Sequence, residues 1–361
     1  MTTRRGFLAS LLAAGSLPAL SWADAGSPAY LAAAGEPGGG FALFGLGADG
    51  RDLFRIPLPA RGHAAAAHPT RPEAVAFARR PGTYALVIDC VTGDVQTRLN
   101  APEGHHFYGH GCFVHGGAVL VTPENRFQTG EGRLGLWARD EGYARIGDIP
   151  SGGMGPHDAQ RLPGGDVMAI ANGGIRTHPA HGRDKLNIDT MRPNLAYVHP
   201  TQGVLEVVEL DPDLHKNSIR HLSLRGDGTV AFAMQWQGDV ADPVPLLGLH
   251  RQGQGAPVLA QAPLAEQMAM QGYAGSVSFS GDGSEVAITS PRGGRVHRFA
   301  PDGAFIGAVR RGDVCGLAPA PGGYLASDGM GALVRVTRDA ARPLAVAERA
   351  WDNHLVRLGS A

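Results

Sequence analysis

The chain of 361 residues repeats one rhythm six times, and this rhythm constrains its fold more than any other feature. Each unit begins with a short apolar strand that runs into a turn of Pro, Gly or Asp, and a second apolar strand follows. These first strands and turns read GHAAAAHP, GHGCFVHG, PHDAQRLPGG, SIRHLSLRGDG, AGSVSFSGDG and CGLAPAPGG. A third strand then leads through further turn residues to a fourth. Four short strands per unit with regularly placed turns are typical of propeller blades.

Aligning the units on their turns makes one position of each first strand equivalent. The equivalent residues are His63, His110, His157, Ile219, Ala274 and Cys315. The longest step, from His157 to Ile219, contains an insertion at about 173–193. The other steps suit a four-stranded blade of roughly 40–50 residues.

The two ends of the chain predict a seventh blade. The C-terminal segment WDNHLVRLGSA carries His354 at the offset of the other first strands, whereas the N-terminal segments YLAAAGE, FALFGLG and DLFRIPL supply three strands without a first one. Pairing them would close the ring and remove two exposed sheet edges. The sequence therefore predicts an all-β, seven-bladed β-propeller over residues 26–361 as a single domain. The alternative is a pair of β-sandwiches with coincidental spacing.

The alignment also gathers histidines at one place in the predicted fold. Because the first strand of each blade lines the central channel, equivalent positions form a ring around the axis. His63, His110, His157 and His354 occupy four of the seven positions, although the whole chain has only 15 histidines, and Cys315 occupies a fifth. Imidazole and thiolate are ligands that transition metals prefer. We therefore expect these five residues to bind a metal ion.

Nearby residues could support such a site. Asp313 and Asp352 precede Cys315 and His354 by two residues, Asp158 follows His157, and Tyr108 precedes His110. Carboxylates and hydroxyls at such positions commonly orient a ligand imidazole.

Two alternatives remain open for the ring. The histidines could instead hydrogen-bond to water in a wet channel. A slip of two residues in the fourth unit would place His221, rather than Ile219, in the channel.

The first 25 residues have the pattern of a signal peptide. Arg4 and Arg5 precede an apolar run, and small residues near Ala23 and Ala25 offer a cleavage site. The adjacent arginines resemble a twin-arginine signal, so we expect export to the periplasm. An ordinary secretory signal and an uncleaved anchor are the alternatives. The rest of the chain has no apolar run long enough to span a membrane, and a net charge of -1 gives no electrostatic reason to expect nucleic-acid binding.

Several longer segments resemble a known family. The stretches ANGGIRTHPAHGRDKLNIDTMRPNLAYV, NSIRHLSL, SPRGG and DVCGL are similar to the DUF1513 family of exported bacterial proteins with a propeller-like fold. This resemblance implies no established activity and no functional residues. Members often occur beside imelysin-like and di-haem-peroxidase-like proteins, which implies a role in periplasmic metal handling with iron-uptake proteins as partners.

The identity of the metal and the kind of reaction are expected only from analogy and from the family resemblance. The predicted imidazole ring is similar to the copper hub of the nitrous oxide reductase propeller, and with the family resemblance this favours copper or iron over zinc. We expect metal handling or metal-centred redox chemistry. One alternative is a non-enzymatic module that docks a partner through the cationic insertion, which contains Arg176, Arg183, Lys185 and Arg192. The other is a lyase or hydrolase that uses the histidines without a metal. Whether the protein is an enzyme stays open.

Overall fold

The structure is a computed structural model, which describes residues 20–79, 82–182, 184–338 and 340–358. Its first fifteen strands are β1 (Tyr30–Gly35), β2 (Phe41–Leu46), β3 (Asp52–Leu58), β4 (Gly62–Ala67), β5 (Glu73–Ala78), β6 (Tyr84–Asp89), β7 (Val95–Asn100), β8 (His105–Phe107), β9 (Cys112–Val114), β10 (Val119–Arg126), β11 (Glu131–Ala138), β12 (Ala144–Pro150), β13 (Pro156–Arg161), β14 (Met168–Asn172) and β15 (Asn194–His199).

The remaining strands are β16 (Gly203–Glu209), β17 (Asn217–Leu224), β18 (Thr229–Trp236), β19 (Leu247–Arg251), β20 (Val258–Ala260), β21 (Ser276–Phe279), β22 (Val286–Ser290), β23 (Arg295–Phe299), β24 (Phe305–Arg310), β25 (Val314–Ala320), β26 (Gly323–Asp328), β27 (Ala332–Thr337), β28 (Ala341–Val346) and β29 (Ala350–Arg357). The helical segments are the short helix α1 (Leu264–Ala269) and the 3₁₀ turns His115–Gly117, Arg139–Glu141, Pro179–His181, Ile188–Thr190 and Pro212–Leu214.

The strands form seven antiparallel sheets, which confirms the predicted seven-bladed β-propeller. Blade 1 combines β29 with β1 to β3, and blades 2 to 7 follow along the chain as β4–β7, β8–β12, β13–β16, β17–β20, β21–β24 and β25–β28. In blade 3 the inner strand is divided into β8 and β9, which both pair with β10. The inner strands contact one another in sequence around the axis, and β29 closes the ring between β25 and β4.

The closing strand is held by both its ladder and its side chains. Strand β29 pairs with β1 from Tyr30 opposite Arg357 to Gly35 opposite Ala350. Trp351 is buried and packs edge-to-face on Phe44, with ring centroids 5.6 Å apart. The last strand of the chain therefore completes the blade that the first three strands begin, as the sequence predicts.

The apolar core lies between neighbouring blades. Between blades 4 and 5, for example, Leu195 and Tyr197 pack with Phe232 and Met234, and all four side chains are fully buried. Outer strands such as β24 alternate exposed and half-buried positions instead. This layering leaves the inner strands to line the channel.

Local irregularities distinguish the inner strands. The ladders shift register on β29, β4, β13, β17 and β25, at the positions that precede or contain the aligned residues. Residues 108–111 interrupt the inner strand of blade 3. Bulges of this kind turn a side chain away from the regular alternation of a strand, and here they occur where the side chains meet the channel.

The N-terminal signal peptide remains a prediction. Its residues 1–19 lie outside the described part of the chain. Within residues 20–25, Ala25 is buried, and Trp22 Nε1 donates a hydrogen bond to the backbone oxygen of His68 at 2.9 Å. Among the described residues, no helix has the length and apolar character needed to cross a bilayer.

Candidate metal centre

Five imidazoles converge where the inner strands meet. They belong to blades 1 to 5, one from each, and are those of His354, His63, His110, His157 and His221. We call this set the hub histidines. Their ring centroids lie 4.6–5.9 Å apart in eight pairwise contacts, most of them edge-to-face. The four histidines predicted from the sequence are thus neighbours in the structure, and the fold adds a fifth.

Donor atoms of four hub histidines lie close together. One nitrogen each of His63, His110, His157 and His221 lies within 4.8 Å of the others. Four nitrogens bound at about 2.1 Å to one tetrahedral ion lie about 3.4 Å apart. The four donors would therefore have to move closer together to bind one ion.

The structure settles the open choice in blade 5 in favour of His221. Ile219 is fully buried in the core between blades 4 and 5. The β17–β18 ladder shifts register between Ile219 and His221, with Arg220 as the extra residue. The alignment on turns predicted Ile219 because a bulge adds a residue without changing the turn that follows. In the sequence, the only indication of His221 was that a shift of the alignment by two residues would place it in the channel.

The aligned position of the sixth blade, Ala274, does not contribute a ligand, and the local structure shows why. Ala274 lies before β21 and is buried in the core between blades 5 and 6. Strand β21 pairs with β22 without a register shift. Strand β21 therefore has no bulge of the kind that turns a side chain towards the channel on the other inner strands.

Several imidazole nitrogens of the hub are buried and lack a hydrogen-bond partner among the described residues. They are Nδ1 of His63, Nε2 of His110, Nδ1 of His157, both nitrogens of His221 and Nε2 of His354. A buried polar atom left without a partner costs about 1–3 kcal/mol. A metal ion binds one nitrogen of each imidazole ring, so an ion held by the four converging histidines could satisfy one such atom of each of them.

Two carboxylates flank the hub histidines. Asp158 Oδ1 lies 3.4 Å from His110 Nδ1, while Asp158 Oδ2 accepts a hydrogen bond from the backbone N–H of Leu222 at 2.9 Å. Asp352 Oδ1 lies 3.9 Å from His63 Nδ1. A carboxylate beside Nδ1 of His110 leaves the unpartnered Nε2 free to bind a metal, which is the usual order of a carboxylate, a histidine and a metal.

The other two predicted supporting residues lie differently. The ring of Tyr108 is 6.4 Å from that of His157, so it borders the hub. The carboxylate of Asp313 instead lies against Gly329 in its own blade. Asp313 also has a positive φ of 54°, which places it in a turn just before β25.

Burial keeps four of the hub histidines neutral. Desolvation is the main cause that lowers the pKa of His63 to about 4, although Asp352 opposes it. Desolvation also lowers the pKa of His157, His221 and His354 well below the ordinary value of 6.5, and neighbouring imidazoles add to the effect. Neutral imidazole is the form that binds metals, so these ligands need no deprotonation at neutral pH.

The carboxylate of Asp352 is charged. Burial opposes its ionisation, but His63 and the hydrogen bond from Arg61 Nε, at 2.7 Å, outweigh burial and hold its pKa at about 2. The hub therefore combines neutral nitrogen donors with at least one fixed negative charge at its edge.

Cys315 stands apart from the hub donors. Its thiol occupies the space beside Gly275, where a Cβ would come within 2.8 Å of the sulfur. Burial raises the pKa of this thiol to about 12, with Asp352 and Asp313 adding to the shift. The group of converging donors found among the described residues does not include Cys315.

Four other histidines make their contacts within blade 3 or the insertion, away from the hub. His105 Nδ1 lies 2.8 Å from Glu124 Oε2, and His106 Nε2 lies 2.9 Å from Asn125 Nδ2, both within blade 3. His178 and His181 belong to the insertion, with rings 5.9 Å apart. His178 packs against Phe127, outside the hub.

The fold and this site define a class, a seven-bladed β-propeller with a histidine cluster in its hub. The chain belongs to the DUF1513 family, whose sequence model matches residues 56–358 and whose description is "Protein of unknown function". No curated protein matches the sequence.

Solved structures are similar in fold alone. The hydrazine synthase of Kuenenia stuttgartiensis superposes with a TM-score of 0.59 at 10% identity, covering 86% of this chain and 90% of that one. A chain from the crystal structure of the mitotic checkpoint complex gives a TM-score of 0.54 at 10% identity, covering 78% of this chain and 75% of that one.

Proposed function

We propose that this protein binds a transition metal ion through its hub histidines and acts in metal handling or in metal-centred redox chemistry. The observation that carries the proposal is the convergence of four imidazoles, each of which has at least one buried nitrogen without a hydrogen-bond partner among the described residues. Propeller blades hold their inner strands rigidly, so four converging donors from four blades, with His354 of blade 1 beside them, form a preorganised site.

The donor set favours particular metals. Imidazole donors suit copper, iron, nickel and zinc, and affinity at such sites is highest for copper along the first-row series. The case for iron comes from the family resemblance. We propose copper or iron rather than zinc. A bound metal would supply redox or Lewis-acid chemistry. The protein would hold the ligand imidazoles in place, orient His110 through Asp158, and place the negative charge of Asp352 near His63.

We further propose that the protein works in the periplasm after export through its twin-arginine-like segment, and that periplasmic iron-uptake proteins are its partners. This rests on Arg4 and Arg5 and on the family resemblance. Fractionation of cells that express the tagged full chain, with Arg4 and Arg5 both changed to Lys as the comparison, tests export. Loss of the periplasmic pool in the variant supports the proposal, and an unchanged pool contradicts it.

Metal analysis of the exported protein tests the main proposal. We expect a near-stoichiometric metal in the wild type by mass spectrometry and at least a tenfold loss in a variant with His110 and His157 changed to Ala. A His199→Ala variant is the matched control, because His199 lies at the outer end of β15. Equal, negligible metal in the wild type and the double variant would contradict the proposal.

The alternatives predict different results. If the hub worked as a metal-free acid and base, an activity found for the protein would survive exhaustive chelation and fail in the His110→Ala variant. If the insertion docked a partner, its deletion would abolish a pull-down while metal content stayed unchanged. Of its cationic residues, Arg183 lies outside the described part of the chain.

A further inference from the structure

The segment that precedes β1 is folded onto the propeller. We call residues 21–28 the N-terminal turn. The backbone N–H of Ser27 donates a hydrogen bond to the backbone oxygen of Trp22 at 2.9 Å. Asp24 Oδ2 accepts one from the backbone N–H of Ser21 at 2.7 Å. The segment therefore has a defined, hydrogen-bonded conformation, although it belongs to none of the seven sheets.

The side chains of the N-terminal turn complete an apolar core between blades 1 and 2. Ala25 is buried in the cluster that includes Leu31 of β1, and Trp22 packs against the same cluster. Trp22 Nε1 also donates a hydrogen bond to the backbone oxygen of His68 at 2.9 Å, just after β4. Leu358, which follows the closing strand β29, belongs to this cluster as well. The turn thus lies at the joint where the two ends of the chain close the ring.

The N-terminal turn lies away from the hub. His63 is the second residue of β4, and His68 directly follows the last one. A strand rises about 3.3 Å per residue, so the backbone at His68 lies roughly 16 Å along the strand from that at His63. The contact of Trp22 with His68 is therefore made at the end of the inner strand that is remote from the metal site. A change at Trp22 can alter the fold without removing a ligand.

The predicted cleavage positions fall within this turn. Ala23 and Ala25 are the small residues at which the sequence suggests removal of the signal peptide. Proteolysis favours backbone that is exposed and not held by hydrogen bonds. In the folded protein Ala25 is buried, and its backbone N–H donates to the backbone oxygen of Trp22 at 3.2 Å. Cleavage at either position would also separate Trp22 from the core against which it packs.

The route of export decides whether the turn forms before the leader is removed. The twin-arginine route, which we propose above, carries proteins that are already folded. The turn would then be formed, and the bonds after Ala23 and Ala25 protected, when the protein meets the signal peptidase. Cleavage would have to take place further upstream, where Ala14, Gly15 and Ser16 form another small-x-small sequence.

We propose that the leader is removed between Ser16 and Ser21, and that the mature protein retains Trp22 and Ala25 as part of its apolar core. The retained turn stabilises the joint at which the ring closes. The position of the cleaved bond rests on the export proposed above, whereas the contribution of Trp22 to stability rests on its packing alone.

Intact-mass analysis of the protein purified from the periplasm locates the cleaved bond. We expect a chain that begins at one of residues 17–21. A chain that begins at Asp24 or Gly26, or one that keeps the whole leader, overturns the proposal. Absence of the protein from the periplasm would count against the export proposal instead, and urea unfolding would then be measured on protein from whole cells.

Substitution of Trp22 tests retention in a second way, because a residue that has been cleaved off cannot affect the mature protein. We expect Trp22→Ala to raise the equilibrium constant for urea unfolding at least tenfold, since a packed indole and its hydrogen bond are lost. Trp22→Phe keeps most of the packing and should raise it by a smaller factor, at least twofold. It also provides the comparison if Trp22→Ala does not accumulate.

Ile146→Ala is the matched control, because Ile146 is 53% exposed on the outer strand β12. We expect its unfolding to equal that of the wild type. Equal unfolding of the wild type and the Trp22 variants would overturn the proposal. Neither measurement involves a metal, so the retained turn and the metal site can fail independently.

Discussion

At the scale of single residues, the chemistry of the hub depends on where one β-bulge turns a side chain. The bulge at Arg220 buries Ile219 between the blades and sends His221 to the imidazoles of blades 1 to 4. His221 is also the hub residue with both nitrogens unpartnered within the described part of the chain. It therefore has no structural hydrogen bond to explain its presence there.

Replacing His221 tests its role as a ligand. We expect His221→Ala to lower the affinity for Cu²⁺ at least tenfold, because one of four converging donors is lost, while His199→Ala leaves it unchanged. Competitive titration against a chromophoric chelator measures both. The same affinity in His221→Ala and the wild type would show that the remaining histidines bind without it.

The pKa shifts of the hub predict how the stability of the metal-free protein depends on pH. The unfolded chain takes up protons near the ordinary histidine pKa of 6.5, whereas folded His63 does so only near 4. Between these values the unfolded state binds more protons, so the free energy of unfolding falls as pH falls. The slope is roughly 1.4 kcal/mol per pH unit for each such histidine. His157, His221 and His354 act in the same direction.

Urea unfolding at several pH values between 7 and 5 measures this slope. We expect the urea midpoint to fall steadily as the pH is lowered across that window. In His221→Asn we expect the free energy of unfolding to change less steeply with pH, by up to about 1.4 kcal/mol per pH unit, because one such histidine is missing. Asp352 does not contribute there, because its pKa of about 2 keeps it ionised throughout. A midpoint that stays constant from pH 7 to pH 5 would contradict burial of neutral histidines.

At the scale of elements, Asp158 joins three inner strands. It follows His157 on β13, lies 3.4 Å from His110 at the end of the blade 3 interruption, and accepts a hydrogen bond from Leu222 on β17. A single carboxylate thus fixes a ligand and ties neighbouring blades together. The sequence predicted Asp158 as a supporting carboxylate next to His157, but it did not indicate the contacts with His110 and Leu222.

Asp158→Asn tests both parts of this role. The amide keeps the size of the carboxylate but loses its charge, so we expect metal affinity to fall 10- to 100-fold. We expect the free energy of unfolding to fall by about 1–3 kcal/mol. Asp140→Asn is the control, since the Asp140 side chain is exposed. Chelator competition and urea unfolding provide the two readouts. Unchanged metal affinity in Asp158→Asn would show that the Asp158 carboxylate does not support metal binding.

At the scale of the whole molecule, closure of the ring decides whether the hub is complete. Strand β29 carries His354 and is held by Trp351, which packs on Phe44 from β2. The residues that bring His354 beside His63 therefore come from opposite ends of the chain. Loss of this packing would loosen the closing blade and expose strand edges.

Trp351→Ala tests the closure. We expect a loss of about 3–5 kcal/mol in the free energy of unfolding, because a buried aromatic side chain leaves a cavity. Weaker metal binding should accompany it, since His354 shares the strand. Val346→Ala is the control, as Val346 is largely exposed. Thermal unfolding and metal titration measure the two effects, and a change no larger than that of Val346→Ala would mean that the blade closes without Trp351.

The sequence by itself determined the propeller, its seven blades, the closing strand and four of the hub histidines. It could do so because turn residues and strand alternation are local signals that recur in every blade. Only the tertiary structure decided between Ile219 and His221, turned the thiol of Cys315 towards Gly275, and packed Trp22 against the core between blades 1 and 2. Those outcomes depend on bulges and on contacts between distant segments, which leave no periodic trace in the order of the residues.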